Sequence, residues 1–249
     1  MTNRLAIYAV AFATLLLTAC SSKPETDDAS SVNDPIEGVN RVMWTLNYDY
    51  IDPYFLRPVS LAYVDYTPSP LRTGLKNFFS NLDEPSSMVN NLLMGNGGQA
   101  MDNLGRFVIN TTFGVLGLFD VASYAGLSKI DDRSFGDTLG HYGVGNGPYL
   151  MLPAAGPNTV RGLTDTVDSY YFPLAYLNIW GTIGKFMVQG MEARASLVSQ
   201  ESQLNNSPDP YTLTREIYLQ HQDFKAQIEQ PKENKEEEDY LDSYLDDNF

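Results

Sequence analysis

The chain has 249 residues, a single cysteine and a formal net charge of −15. So acidic a protein gains nothing from counterion release on DNA or RNA, which argues against nucleic-acid binding. The charge is concentrated near the ends: residues 23–37 hold five acids against one lysine, and residues 225–249 hold nine against three. The mildly acidic body is not attracted to anionic headgroups, so any membrane contact must use apolar and aromatic side chains.

The N-terminal segment has the layout of a bacterial lipoprotein signal peptide. Arg4 precedes an apolar stretch over residues 5–17, too short to span a bilayer, and the run LTAC ending at Cys20 forms a lipobox. We expect residues 1–19 to be removed and Cys20 to carry a diacylglyceryl group, because two or more acyl chains anchor a protein stably. The residue after the cysteine is Ser21 and not aspartate, which favours sorting of the lipoprotein to the outer membrane. The alternative is an ordinary signal peptide with an incidental cysteine.

Residues 20–33 are a polar tether without apolar periodicity, and we expect them to be disordered. Helical structure is predicted to begin at Asp34, with Asp34 as the cap and Glu37 completing a capping box. This helix, 35–51, is predicted to end at Asp52-Pro53. Residues at spacings of three and four form its apolar face, namely Ile36, Val39, Met43, Leu46 and Tyr50.

Proline punctuation predicts three more short helices, beginning at Pro58, Pro70 and Pro85. Gly95 closes the last of them as a residue with left-handed backbone. Residues 98–111 form a further helix, with Leu104, Phe107 and Val108 on one face and Arg106 on another. No alternating run is long enough to predict a sheet, so residues 34–224 are predicted to form one mainly α domain.

The second half contains two strongly apolar segments, 113–122 and 170–191. Lys185 and internal glycines argue against a spanning helix in the second, whose aromatic side chains suit either a lipid–water interface or a buried core. Residues 126–157 are rich in glycine and proline and predict a long ordered loop. Helices are predicted from about residue 158 and over about 209–224. The tail 225–249 is acidic and predicted to be disordered, with apolar residues that suit a helix formed on a partner.

No pattern predicts catalysis, a cofactor or a metal site. The two histidines, His141 and His221, lack ligand spacing, and the glycine-rich stretch 143–148 lacks the Lys-Ser/Thr of a phosphate loop. The alternative is an enzyme, a lipid hydrolase. It would need Ser134 as the nucleophile and His141 as its base, and no acid that would orient the histidine is evident.

Three segments in collinear order resemble the MlaA/VacJ family of outer-membrane lipoproteins. They are residues 34–96, which begin DPIEGVNR, residues 135–162, which begin FGDTLGHYGVGNGPY, and residues 209–224, DPYTLTREIYLQHQDF. The resemblance implies a ring-like helical domain, lipid-anchored on the periplasmic side of the outer membrane and embedded at the membrane interface. An amphipathic channel would pass misplaced outer-leaflet phospholipid to a soluble periplasmic MlaC-like carrier, maintaining lipid asymmetry, with porin trimers as partners. The alternative is a non-transporting envelope scaffold bound to porins.

A phospholipid channel needs polar groups for the headgroup and apolar groups for the tails, and helix 35–51 offers both. The loop 126–157 is either a mobile gate or edge contact, or a rigid part of the fold. The candidate channel or gate residues are Asn40, Arg41, Met43, Leu46, Asn47, Tyr50, His141 and Tyr142. Candidates for lipid or porin contact are Phe113, Leu116, Phe119, Tyr176, Trp180 and Phe186, unless both of their segments belong to an ordinary core.

Overall fold

The structure, a computed structural model, describes residues 34–226. The predicted anchor at Cys20, the tether before residue 34 and the tail beyond residue 226 lie outside the described residues. The helices are α1 (Glu37–Thr45), α2 (Arg57–Tyr66), α3 (Ser69–Leu93), α4 (Gly97–Thr112), α5 (Val121–Tyr124), α6 (Phe135–His141), α7 (Val160–Leu163), α8 (Ile179–Ser196), α9 (Glu201–Asn205) and α10 (Pro210–Ala226). This confirms the prediction of a mainly α fold.

Shorter helical segments and one hairpin complete the described fold. A π-helix runs over Leu46–Leu56, and 3-10 helices over Thr164–Tyr170, Leu174–Tyr176 and Leu197–Gln200. Strands β1 (Tyr149–Leu152) and β2 (Gly156–Thr159) pair antiparallel, with Tyr149 opposite Thr159 and Leu152 opposite Gly156. Among residues 34–226, no helix has both the length and the apolarity needed to cross a bilayer.

The predicted limits of the first helix are wrong. Asp34 does not cap α1, which begins at Glu37, because the Asp34 side chain accepts hydrogen bonds from Asn40 at 2.7 Å and from the Tyr211 hydroxyl. The helix does not end at Asp52-Pro53 either, since the π-helix carries Pro53 and continues into α2. Proline removes a backbone N–H and crowds the preceding turn, and the chain accommodates it here by widening the helix.

The predicted break at Pro85 is also wrong, because α3 is one helix of 25 residues with Pro85 inside it. Glu84 does not open a new helix: its carboxylate is buried and bound by α4. Gly95 closes α3 as predicted, with φ of +79°. The N–H of Asn96 donates to the carbonyl of Asn91 at 2.8 Å, the bond typical of a Schellman end.

Residues 126–157 do not form one long ordered loop as predicted, because they contain α6, β1 and the start of β2. The Ser134 hydroxyl accepts from the N–H of Asp137, and the Asp137 carboxylate accepts from the N–H of Ser134, so a capping box starts α6. The hairpin then begins at Tyr149, which corrects the prediction of no sheet. Its strands have four residues each, too short for alternation to be recognised in the sequence.

The described part of the chain buries polar side chains and exposes apolar ones. On α4, Arg106 is 3% exposed whereas Val108 is 50% exposed. The buried polar set includes Asn81, Glu84, Ser87, Asn90, Asn91, Asn103, Asn110 and Asp137. A small aromatic core forms where β1 meets α10, around Tyr149, Met151 and Tyr211. This polarity is the reverse of the usual one, in which asparagine and charged residues are mostly exposed.

Candidate functional site

Asn40 and Asn47, two candidate channel residues, bind the β-hairpin. The Asn40 amide donates to the carbonyl of Tyr149 at 2.9 Å, and its oxygen accepts from the N–H of Met151 at 2.9 Å. Asn47 makes the same pair of bonds, both at 2.8 Å: its amide donates to the carbonyl of Leu152, and its oxygen accepts from the N–H of Ala154 in the turn. Each carboxamide supplies one donor and one acceptor, as a neighbouring strand would. These contacts favour the rigid alternative for this part of residues 126–157.

Arg41, the charged channel candidate, is held by two carboxylates. Its Nη2 lies 2.7 Å from Asp209 Oδ2 and its Nε lies 2.7 Å from Glu37 Oε1. The guanidinium also lies 4.5 Å from the centre of the Tyr211 ring. Hydrogen bonds from Arg41 hold the pKa of the Asp209 carboxyl well below its usual range. Arg41 thereby ties α1 to the start of α10.

The remaining channel candidates differ in their surroundings. Met43 packs against the aromatic core, whereas Leu46 and Tyr50 are exposed. His141 and Tyr142 lie at the end of α6, with ring centroids 5.0 Å apart, and the Tyr142 hydroxyl donates to a carbonyl at the end of α3 at 2.5 Å. None of the hydrogen bonds or aromatic contacts within residues 34–226 joins these two residues to α1. Their role in a channel or gate stays a prediction.

The proposed pair of a lipid hydrolase is not assembled. Ser134 caps the start of α6 and His141 ends it, which places them about 10 Å apart at 1.5 Å of rise per residue. A nucleophile and its base must lie within hydrogen-bond reach. Within the described residues, no group of three His, Cys, Asp or Glu side chains is placed to hold a metal ion.

All six candidates for lipid or porin contact are exposed. The relative exposures of Phe113, Leu116, Phe119, Tyr176, Trp180 and Phe186 range from 62% to 83%. The alternative that their segments form an ordinary core is therefore wrong for these side chains. Further exposed apolar residues that sequence reasoning missed extend the same surfaces: Val115, Ile179, Ile183 and Met187. Ile179, Ile183 and Met187 recur every four residues on α8, and this spacing was the available signal for these three.

Helix α3 lies between these two apolar segments. On one face, Asn77 donates to the carbonyl of Leu118 at 3.3 Å. On another face, Asp83 accepts from Lys185 at 3.0 Å and from Gln189 at 3.0 Å, both on α8. Positions 77 and 83 differ by six residues, about 600° at 100° per residue, so their side chains point about 120° apart around the helix axis. The exposed residues of both segments therefore flank one helix.

The polar interior centres on Glu84, whose carboxylate is 1% exposed. It accepts from Arg106 Nε at 2.8 Å, from Asn103 at 2.6 Å and from Lys129 at 3.1 Å. Arg106 also donates to Asp120 at 3.1 Å, which joins α3, α4 and the start of α5. Sequence reasoning placed Arg106 on its own face but missed the buried asparagines. The polar residues of α3 recur at helical spacing, which is the signal that could have found them: Asn81, Glu84, Ser87 and Asn91.

A second polar cluster surrounds the start of α6. Asp168 accepts from the N–H of Phe135 at 3.0 Å and from the Asn90 amide at 2.8 Å, and Asp165 accepts from the N–H of Gly136 at 2.8 Å. Burial raises the pKa of Asp168 to about 6, although these two donors oppose the shift. These carboxylates satisfy N–H groups that a helix start leaves free.

A helical domain that buries its polar side chains and exposes its apolar ones defines a class of protein suited to an apolar environment. The chain belongs to the MlaA lipoprotein family, whose profile matches residues 32–225. Membership makes it a membrane-associated protein of the bacterial envelope.

Two relatives carry the name "Intermembrane phospholipid transport system lipoprotein MlaA". The one from Escherichia coli K12 is 43% identical over 226 residues, which cover 90% of this chain and 89% of the relative. The one from Haemophilus influenzae is 38% identical over 231 residues, covering 89% and 90%. The names describe transport-system lipoproteins. A solved structure described as "Structural basis for maintenance of bacterial outer membrane lipid asymmetry" is similar with a TM-score of 0.76 and 48% identity, covering 79% of this chain and 100% of that one.

Proposed function

We propose that this protein removes misplaced phospholipid from the outer leaflet of the outer membrane and passes it to a soluble periplasmic carrier. It thereby maintains the lipid asymmetry of that membrane. Acyl chains on Cys20 would hold the protein at the periplasmic side. The observation that carries the proposal is the inverted polarity of residues 34–226. The names of the relatives point to the same process.

The apolar exterior supports a location among acyl chains. Helices satisfy their backbone hydrogen bonds internally, which hydrocarbon requires, and amphipathic helices can lie in the interface without spanning it. The side chains of α8 that point away from α3 are apolar over much of its length, and Trp180 is typical of interfacial anchors. Hydrocarbon or a porin surface would cover this face, and a porin trimer is the proposed protein partner.

The polar interior supports a passage for an amphiphile. A headgroup leaving the outer leaflet needs polar surroundings, while its acyl chains need apolar ones. The exposed apolar residues Leu46 and Tyr50 would meet the acyl chains, and the hairpin bound by Asn40 and Asn47 would form part of the wall beside them. In this proposal the two asparagines are positioning residues for that wall.

The experiment labels surface phosphatidylethanolamine of intact cells with an amine reagent that does not cross membranes. Deleting the gene is expected to raise the labelled fraction several-fold, and the wild-type chain to return it to the parental value. A matched pair of variants tests the apolar exterior: Ile183→Glu on the apolar face of α8 should fail to complement, and Gln203→Glu on α9 should succeed. An unchanged labelled fraction in the deletion strain, with porin recovery altered, would support the scaffold alternative instead.

A further inference from the structure

The last turn of α10 packs against α6 through a charged contact. Lys225 Nζ lies 2.9 Å from Asp137 Oδ2, and the Arg133 guanidinium donates to the carbonyl of Lys225 at 2.5 Å. A Cβ added to Gly140 would lie 2.7 Å from the Cβ of Ala226, so the two helices approach closely. Ala226 is the last described residue, so the acidic tail begins at this contact, here named the α6–α10 joint.

The first turn of α6 also carries a cluster of buried carboxylates. Asp168 and Asp165, from the 3-10 helix Thr164–Tyr170, accept from backbone N–H groups of this turn at 3.0 Å and 2.8 Å. Asp137 belongs to the turn itself and is fully buried. It connects the two sides, because its Oδ2 pairs with Lys225 while its own turn supplies the N–H groups that the other two carboxylates bind. Three carboxylates therefore share one helical turn with one lysine in contact.

The other groups around the carboxylate cluster are neutral or donate to backbone carbonyls. From α3, the neutral Asn90 amide donates to Asp168 at 2.8 Å. From α7, the Arg161 guanidinium donates to a carbonyl of α10 at 2.9 Å and to a carbonyl after α6 at 3.1 Å. Arg133 donates to α10 in the same way. On α10, the Tyr218 hydroxyl is kept neutral, because burial raises its pKa to about 12. The negative charge of the cluster is therefore compensated mainly through Lys225.

We propose that the cluster of Asp137, Asp165 and Asp168 makes the α6–α10 joint proton-operated: the joint closes when the cluster takes up a proton and loosens when the cluster loses it. Buried charges of one sign repel each other, and burial disfavours each charged form, so one added proton relieves both costs. Opening the first turn of α6 exposes the carboxylates to water, where they ionise freely. Burial raises the pKa of Asp168 to about 6, which places the change just below neutral pH. This inference concerns the fold and does not depend on the proposed function.

The test measures hydrogen exchange of the full-length lipoprotein in nonionic detergent at pH 5.5 and pH 7.5, with rates corrected for the intrinsic effect of pH on exchange. A pKa of about 6 in the closed joint and 3.8 in the open one predicts that the protection of α6 and of residues 221–226 falls about four-fold between these pH values. Asp168→Asn, which keeps the shape without the charge, should abolish that fall. Asp131→Asn, at an exposed acid outside the cluster, is the matched control and should retain it.

Amides of α4 report global unfolding, and those of the joint should exchange at least ten-fold faster, because local opening costs less free energy. Equal protection in α4 and in the joint would overturn the inference. Wild-type protection that is equal at both pH values would overturn it without any variant, and so would a fall in protection that persists in Asp168→Asn.

Lys225→Met tests the connection between the two sides of the joint. Without the ion pair to Asp137, residues 221–226 should lose their pH dependence while α6 keeps it. An unchanged pH dependence of residues 221–226 in this variant would overturn the proposed coupling of α10 to the carboxylate cluster.

Discussion

Arg194 on α8 forms a bidentate ion pair with Asp52 in the π-helix, with Nε–Oδ1 at 2.5 Å and Nη2–Oδ2 at 2.7 Å. Asp52 directly precedes Pro53, so the pair holds the chain where proline would ordinarily end a helix. Arg194 also contacts Glu201 at 2.6 Å, which connects α8 to α9. The ion pair thus ties the widened helix to the apolar-faced α8.

The Asp52–Arg194 pair should contribute measurably to stability. Both side chains are mostly buried, so a double-mutant cycle with Asp52→Ala and Arg194→Ala should give a coupling free energy of about 1.5 kcal/mol. The exposed pair Glu37–Arg41 is the control and should give about 0.4 kcal/mol. Urea unfolding in detergent measures both cycles. Equal coupling in the two pairs would contradict the proposed difference.

Deleting Tyr50 from the π-helix should impair lipid handling. One residue fewer rotates the following chain by about 100° on a helix, so the Asn47 contact with β1 and the Asp52 contact with Arg194 cannot both be kept. We expect more surface phospholipid and greater detergent sensitivity at normal protein level. Asp49→Ala, which changes an exposed side chain of the same π-helix and preserves the register, should behave like wild type. A deletion variant that is stable and normal in both assays would make this helix merely structural.

Much of the helical content could be predicted because it depends on local periodicity and caps. The pattern in residues 98–111, the Gly95 end of α3 and the start of α10 near Pro210 agree with the structure. The prolines at 53 and 85 were misread because distant partners hold the helix through them. Asp52 pairs with Arg194, and Glu84 pairs with Arg106, and neither partner can be identified from spacing.

The direction in which each helix faces could not be predicted. Periodicity identifies an apolar face but not the medium that the face meets. The apolar face of helix 35–51 was correctly found, yet its Val39 is exposed and its Asn40 is buried against β1. Asn40 and Tyr149 are 109 residues apart, so the polar candidates for a channel proved to be bound to a hairpin that the sequence did not predict.

Replacing Asn40 should destabilise the fold more than replacing Asn47. Asn40→Ala leaves a buried carbonyl of Tyr149 and a buried N–H of Met151 unpaired, a cost of about 3 kcal/mol. Asn47 is half-buried and water can replace it, so Asn47→Ala should cost about 1 kcal/mol. Chemical unfolding in detergent measures both, with Asn77→Ala, whose bond is 3.3 Å long, as a near-neutral control. The reverse order would contradict the bridging role of Asn40.

Breaking the buried Glu84–Arg106 pair should be strongly destabilising. Arg106→Met leaves the carboxylate of Glu84 buried with weaker compensation and should cost about 4 kcal/mol. Adding Glu84→Gln removes that uncompensated charge, so the double variant should be more stable than Arg106→Met alone. The comparison of unfolding free energies at equal detergent concentration decides this. A double variant that is the less stable of the two would show that the charge on Glu84 is compensated by other groups.

Asp168 should give stability a specific dependence on pH. Burial raises its pKa from 3.8 to about 6, so between these values the folded protein binds more protons at this site than the unfolded chain. The unfolding free energy contributed by Asp168 therefore falls as pH rises from 4 to 6. Asp168→Asn should remove this contribution, so the variant should lose less stability than wild type over that interval.

The Asp209 carboxyl, whose pKa Arg41 lowers, should give stability the opposite dependence on pH. The stability that it contributes is lost as pH falls, so Asp209→Asn should flatten the loss of stability between pH 5 and pH 3. Unfolding free energies of wild type and both variants, measured by urea titration at several pH values, test the pair, and parallel curves for Asp168→Asn and wild type between pH 4 and 6 would contradict the raised pKa.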